Sequence, residues 1–196
     1  MARPLRIQWP GALYHVTARA CLGRFAFRDL TSRHTFLILL EKTIRTCEWR
    51  CHAYCLMTSH FHLVIETPQP NIAAGMQRLN GVYAGFANHR HGERGHLFEG
   101  RYGAKLIESD EHLKEVWRYV ALNPVRADRC ALPEEWEWSS YAATIGLAPV
   151  PRFLTTELVL GHFSEDVALA RRLLRTFVED GLDNARCVAE APLRVA

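Results

Sequence analysis

No stretch of the 196-residue sequence stays apolar for the ~18 residues that a membrane span requires, so no transmembrane helix and no membrane partner are expected. The opening MARPLRIQWPGALYHV lacks a continuous apolar run ahead of a small-residue cleavage site. It does not read as a secretory signal, and the expected location is cytoplasmic. Internal repeats and low-complexity segments are also missing, and the length suits one domain, or one domain with an appendage. Six cysteines in this length do not suggest a disulfide scaffold. Cys47, Cys51 and Cys55 are regularly spaced but lack the second distant pair usual in zinc sites. They read as buried reduced thiols at a helix end and in a strand.

Acidic residues are scarce where basic ones gather. Arg3, Arg6, Arg19, Arg24 and Arg28 all precede the first acid, Asp29. Residues 1–110 carry 14 Lys+Arg against 8 Asp+Glu, a surplus of +6, and the remainder is at −3, within a total of +3. A basic first half allows a phosphate-rich partner, and a solvated surface accounts for it equally well. What is abundant is apolar side chain, at 48%, enough for a real core.

The apolar pattern changes period along the chain. Residues 12–19 (ALYHVTAR) follow Pro10-Gly11 and read as a strand. Residues 32–49 read as a helix with Ser32 as N-cap and Phe36, Leu37, Leu40, Ile44 and Cys47 recurring at helical spacing. Two short runs, 50–57 and 60–66, read as an antiparallel hairpin. Asn71 opens a helix to about His91 with Ile72, Met76, Leu79, Val82, Tyr83 and Phe86 on its buried stripe. A loop rich in Gly, His and Arg leads to a strand at 102–107. Ser109 or Asp110 then caps a third helix, expected to end near Asn123 because Pro124 disfavours helical geometry in the residue before it. The order β-α-β-β-α-β predicts an α+β, ferredoxin-like four-stranded antiparallel sheet with a helix after it. Residues 1–130 form the expected catalytic domain and 131–196 a small helical appendage. In the appendage PEEWEWSSYAA makes a turn and short helix, residues 156–179 make one helix, and the last dozen residues fray.

Two places carry chemistry. His60 and His62 are two apart in a strand, so their imidazoles share a face, the less covered one, while Phe61, Leu63 and Ile65 point toward the helices. Two neutral imidazoles so placed can share one cation, although an H-x-H pair taken alone is more commonly structural. In the third helix Leu113, Val116, Trp117 and Val120 form the apolar stripe. Tyr119 and Asn123, four apart, share a polar face with His112 and Glu115. That arrangement suits a nucleophile beside a metal-binding carboxamide. On this helix alone the commoner reading is a rim tyrosine and an Asn that ends the helix before proline.

RPLRIQWPGALYHVTARA, HAYCLMTSHFHLVIETP, GHLFEGRYGAKL, RYVALNPVRA and WEWSSY occur in that order over about residues 3–145. In these blocks the chain resembles the HUH tyrosine transposases, in particular the branch associated with repetitive extragenic palindromes (REP). The resemblance implies a ferredoxin-like fold, metal ligands His60, His62 and Asn123, and Tyr119 as nucleophile. It implies a metal-dependent DNA strand transferase that forms a 5′-phosphotyrosine, with Mg²⁺ or Mn²⁺ as cofactor. Its partner would be single-stranded or hairpin DNA of the REP type, bound by a monomer or homodimer. Basic residues expected on the DNA are Arg3, Arg6, Arg90, Arg94, Arg101, Lys105 and Arg126, and Trp9, Phe98 and Tyr102 are candidates to stack on bases. Two other readings stand beside it: a non-catalytic nucleic-acid-binding protein on the same sheet, and a metal hydrolase that activates water in place of Tyr119.

Overall fold

The structure, a computed structural model, describes residues 8–183. The expected element order is observed: β1 (Ala12–Arg19), α1 (Leu30–Cys47), β2 (Arg50–Leu56), β3 (His60–Thr67), α2 (Ile72–His91), β4 (Gly103–Leu106) and α3 (Asp110–Arg126). The strands form one antiparallel sheet ordered β2-β3-β1-β4. This is the ferredoxin-like arrangement, with β1 and β3 central.

Strand alternation divides the sheet into two faces. Tyr14, Val16, Phe61, Leu63 and Ile65 turn toward α1 and α2 and pack on Phe36, Leu40, Met76, Leu79 and Tyr83. In the aromatic core Phe36 meets Phe27 and Tyr83 edge-on, both at 5.1 Å, and Phe61 at a tilt at 4.8 Å, ring centre to ring centre. Such pairs each add about 0.5–1.5 kcal/mol beyond burial. Helix α1 starts earlier than expected. Its cap is Asp29, whose carboxylate accepts from the Ser32 amide at 2.7 Å, while Ser32 itself is buried inside the helix. The Ser32 amide, with help from Arg90 at 2.9 Å, holds the Asp29 carboxyl down near a pKa of about 2. On α2 the expected stripe holds except at Val82, which is exposed at the rim of the α1–α2 contact, beside Leu39, Lys42 and Thr43.

The opposite face is not bare. Ala53, Cys55 and Val64 pack on Leu113, Val116, Trp117 and Val120 of α3 and on side chains from the segment after residue 131. Helix α3 continues past Asn123 with Pro124 inside it. Proline removes one amide, but burial of Leu122 and Val125 and the bonds Ala127 N–H to Asn123 C=O (3.1 Å) and Arg129 N–H to Pro124 C=O (2.9 Å) carry the helix on.

The last segment holds a short 3₁₀ turn (Pro133–Glu135), α4 (Tyr141–Thr144), α5 (Glu157–Gly161) and α6 (Val167–Glu179). The single helix expected at 156–179 is two helices. Asp166 caps α6 by accepting from Leu169 N–H at 2.7 Å, and Ala170, Leu174 and Val178 face inward while Val167, Leu169 and Leu173 are exposed. This segment covers the open edge of β2: Leu56 N–H donates to Trp138 C=O (2.9 Å), and Ser140 N–H and Thr155 N–H donate to Tyr54 and Cys51 carbonyls (both 2.9 Å). An uncovered edge would otherwise invite strand addition. Cys51 and Cys55 are buried, with burial pushing the Cys51 thiol up to about 12, and Cys47 is half-buried. All the described cysteines are free. The fraying expected in the last dozen residues falls outside the described residues. Among the described residues no helix is long and apolar enough to cross a membrane.

Candidate active site

One end of the second face is left open between the sheet and α3. The register puts Thr17 opposite His62, Arg19 opposite His60, and His15 opposite both Val64 and Lys105. A cleft of about 680 Å³ is lined there by His15, Arg19, His60, His62 and Lys105 from the strands and by Tyr119 from α3. His112, Glu115 and Arg126 complete its helical rim. The close fit of β4 depends on Gly103, where a Cβ would stand 2.7 Å from Thr17 Oγ1.

The two histidines of β3 meet edge to face at 5.0 Å. His60 Nε2 lies 3.3 Å from Asn123 Oδ1, and its Nδ1 lies 3.2 Å from Ser59 Oγ. His62 is buried, and its Nδ1 lies 3.0 Å from His15 Nε2. Its Nε2 is buried without a hydrogen-bond partner. Tyr119 is 41% exposed. Its ring stands 5.3 Å from His62 and 5.8 Å from His15, edge-on to both, and the Arg126 guanidinium covers it at 4.9 Å. Burial, and then the neighbouring histidines and Arg19, drive the His62 pKa down to about 2, and burial with Lys105 and His112 takes His15 to about 4. Burial also lowers His60. All three rings are neutral at physiological pH, the state in which an imidazole has a lone pair to give.

Among the described residues no group of three or more His, Cys, Asp or Glu side chains is placed to hold a metal. His15 Nε2 lies against His62 Nδ1 and faces no third ligand of this kind. The donor set that does fit a cation mixes types: the orphaned Nε2 of His62, the Nε2 of His60, and the carboxamide oxygen of Asn123. Imidazole and carboxamide donors together suit Mg²⁺ or Mn²⁺ less exclusively than an all-oxygen cage, yet leave positions open for phosphate oxygens.

The expected DNA-facing residues divide. Lys105 and Arg126 line the cleft, and Arg19, not anticipated as a DNA contact, joins them. Arg101 lines a second groove of about 740 Å³ beside α2, with Gln8, Gln77 and Asn80. Arg90 is engaged by Asp29 at the start of α1. Arg94 is exposed on the 92–101 loop, away from the cleft lining. Arg3 and Arg6 lie outside the described residues. Phe98 and Tyr102 are largely buried in the first-face core and reach only the wall of the second groove, whereas Trp9 is exposed. His15 is the residue that sequence reading missed. The alternation within ALYHVTAR carried the signal, since Tyr14, Val16 and Ala18 point inward and His15 therefore points with Thr17 and Arg19.

Tyr119 of α3 and the histidine pair of β3 thus share one cleft on the second face of a ferredoxin-like sheet. A family model described as "Transposase IS200 like" matches residues 10–123, a span that includes both histidines, Tyr119 and Asn123. The chain belongs to that IS200-like transposase family. Its fold is similar to that of a solved REP-associated tyrosine transposase bound to a REP hairpin, with a TM-score of 0.64 and 15% identity over 80% of this chain and 93% of that one. No curated protein matches the sequence.

Proposed function

We propose that this chain is a single-strand DNA endonuclease and strand transferase that cuts and rejoins hairpin DNA of the REP type through a phosphotyrosine on Tyr119. The observation that carries the reading is the convergence, at one cleft, of the exposed Tyr119 with the unpartnered His62 Nε2 and the His60–Asn123 contact of 3.3 Å. His60, His62 and Asn123 would hold a divalent cation, Mg²⁺ or Mn²⁺. When bound there, it supplies a positive charge to the non-bridging oxygens of the scissile phosphate.

The chain's own residues do the rest. Tyr119 Oη attacks the phosphorus in line, the bond to the 3′ oxygen breaks, and the 5′ phosphate stays on the tyrosine while the freed 3′ oxygen takes up a proton. Because the phosphodiester energy is kept in the phosphotyrosine, the 3′ hydroxyl of another strand can reverse the step. Arg19, Lys105 and Arg126 supply positive charge along the cleft for the flanking phosphates. Arg3, Arg6, Arg90, Arg94 and Arg101 would act farther along the strand, with Arg90 first having to leave Asp29. The sheet face at the site carries imidazoles where a stacking platform would carry aromatics, which favours catalysis over simple binding. The hairpin substrate is supported by the REP hairpin bound in the structurally similar transposase. Such an enzyme would work on DNA in the cytoplasm, as a monomer or homodimer.

The test is incubation of the full chain with end-labelled single-stranded hairpins taken from the DNA flanking its own gene, with and without Mn²⁺. Nicking at one position, dependent on the cation, is expected. Intact hairpins under every condition would contradict the reading.

A further inference from the structure

We propose that His15 is a positioning residue. Its Nε2 accepts the Nδ1–H of His62, holding that ring in the tautomer whose Nε2 lone pair faces the cleft. The inference rests on the cation reading above and adds to it a residue from a different strand.

The two nitrogens are 3.0 Å apart, so one hydrogen lies between them, and the rings stack at 5.2 Å and 21°. Two polarities are possible. If His15 donated, a neutral His62 would have to carry its own proton on Nε2. That atom is buried and has no partner. A buried N–H without an acceptor carries the full cost of its desolvation, whereas a bare lone pair there can be met by a cation. With His62 donating, the orphan atom is a bare lone pair, which is what a cation requires. His60 has the opposite polarity without a cation: its Nε2–H donates to Asn123 Oδ1 at 3.3 Å, and its Nδ1 accepts from the Ser59 hydroxyl at 3.2 Å. Each β3 imidazole is still tied at Nδ1 from outside the cleft and presents Nε2 within it. For His60 the tie comes from the adjacent residue. For His62 it comes from β1, 47 residues away, so the orientation of the ligand depends on β1–β3 pairing. An outer hydrogen bond of this kind fixes a ligand's tautomer and raises its basicity.

The experiment uses the full chain labelled with ¹⁵N-histidine, examined by NMR without metal and then titrated with Mn²⁺. The expected result is His62 protonated at Nδ1 and bare at Nε2. His15→Leu removes the acceptor and should lower Mn²⁺ affinity by roughly 10–100-fold. His15→Gln keeps an acceptor oxygen near the position of Nε2 and should restore both the tautomer and an affinity close to wild type. A wild-type His62 protonated at Nε2 overturns the inference, as does a folded His15→Leu protein that binds Mn²⁺ like wild type. Should His15→Leu not fold, the wild-type tautomer and the His15→Gln titration decide. A wild type that binds no Mn²⁺ but shows the expected tautomer defeats the cation reading and leaves the His15–His62 assignment standing.

Discussion

His60 Nε2 and Asn123 Oδ1 stand 3.3 Å apart although 63 residues separate them in the chain. The contact joins the first residue of β3 to the last turn of α3, which continues through Pro124 to Arg126. The site therefore exists only when α3 is docked on the second face of the sheet.

Replacing His60 or His62 by Ala should abolish cleavage, by roughly 100-fold or more, the several kcal/mol that a cation lends to a phosphoryl transition state. EDTA should do the same to the wild type, and Mn²⁺ or Mg²⁺ should restore it. Asn123→Ala should weaken cleavage in the same metal-dependent way. Circular dichroism should show an unchanged fold, and undiminished cleavage by the double histidine variant would remove the metal from the account.

Binding should favour single-stranded or hairpin DNA over plain duplex and fall steeply with salt. Lys105→Gln and Arg126→Gln should each flatten the slope of log affinity against log salt on single strands by about 0.7, one phosphate contact's worth. Fluorescence anisotropy across a salt series measures this. Slopes equal to wild type would take those side chains off the DNA.

Stability should fall in mild acid. The folded-state pKa values of His15, His60, His62 and His52 all lie below the ordinary histidine value, chiefly through burial. Below about pH 6.5 the unfolded chain takes up protons that the folded chain refuses, so stability is greatest above that value and is lost as pH drops toward 4. Each such histidine contributes at most about 1.4 kcal/mol per pH unit in this window. Urea unfolding at pH 7.5 and pH 5 should show a lower midpoint at pH 5, and equal midpoints would contradict the burial of neutral rings.

Two glycines of α2 should respond oppositely to Ala. A Cβ on Gly75 would stand 2.1 and 2.4 Å from ring carbons of Trp49, which is pinned by its own bond to Asn71 Oδ1 at 2.6 Å. Gly75→Ala should destabilise by about 1–3 kcal/mol through overpacking. Gly81 has nothing within 4 Å of its would-be Cβ, and Gly81→Ala should stabilise by about 0.5–1 kcal/mol. Thermal unfolding of both variants tests the packing of α1–β2 against α2.

Much of this was readable from period alone. Alternation in HFHLVIE puts His60 and His62 on one face, and helical spacing puts Tyr119 and Asn123 on another, because both patterns are local. What was not readable depends on pairing between distant strands or on burial. His15 matters only once β1 lies beside β3, and Phe98 and Tyr102 look like stacking aromatics until the loop folds them into the core. Arg90 looks like a free cation until α2 brings it to Asp29. Pro124 stays inside a helix because buried neighbours outweigh a local preference that would have ended it.

The central claim is that Tyr119 forms the covalent bond to DNA. Of the other five tyrosines, Tyr14, Tyr54, Tyr83, Tyr102 and Tyr141 are all buried. Tyr119→Phe keeps the ring against His62 and beneath Arg126 while removing the attacking oxygen, so folding and hairpin binding should persist. The direct measurement is mass spectrometry of the peptide–DNA adduct trapped from a hairpin-cleavage reaction. The account predicts a phosphate-linked nucleotide on the peptide containing Tyr119, and neither adduct nor cleavage with Tyr119→Phe. An adduct on another tyrosine, or cleavage that survives the substitution, would contradict it.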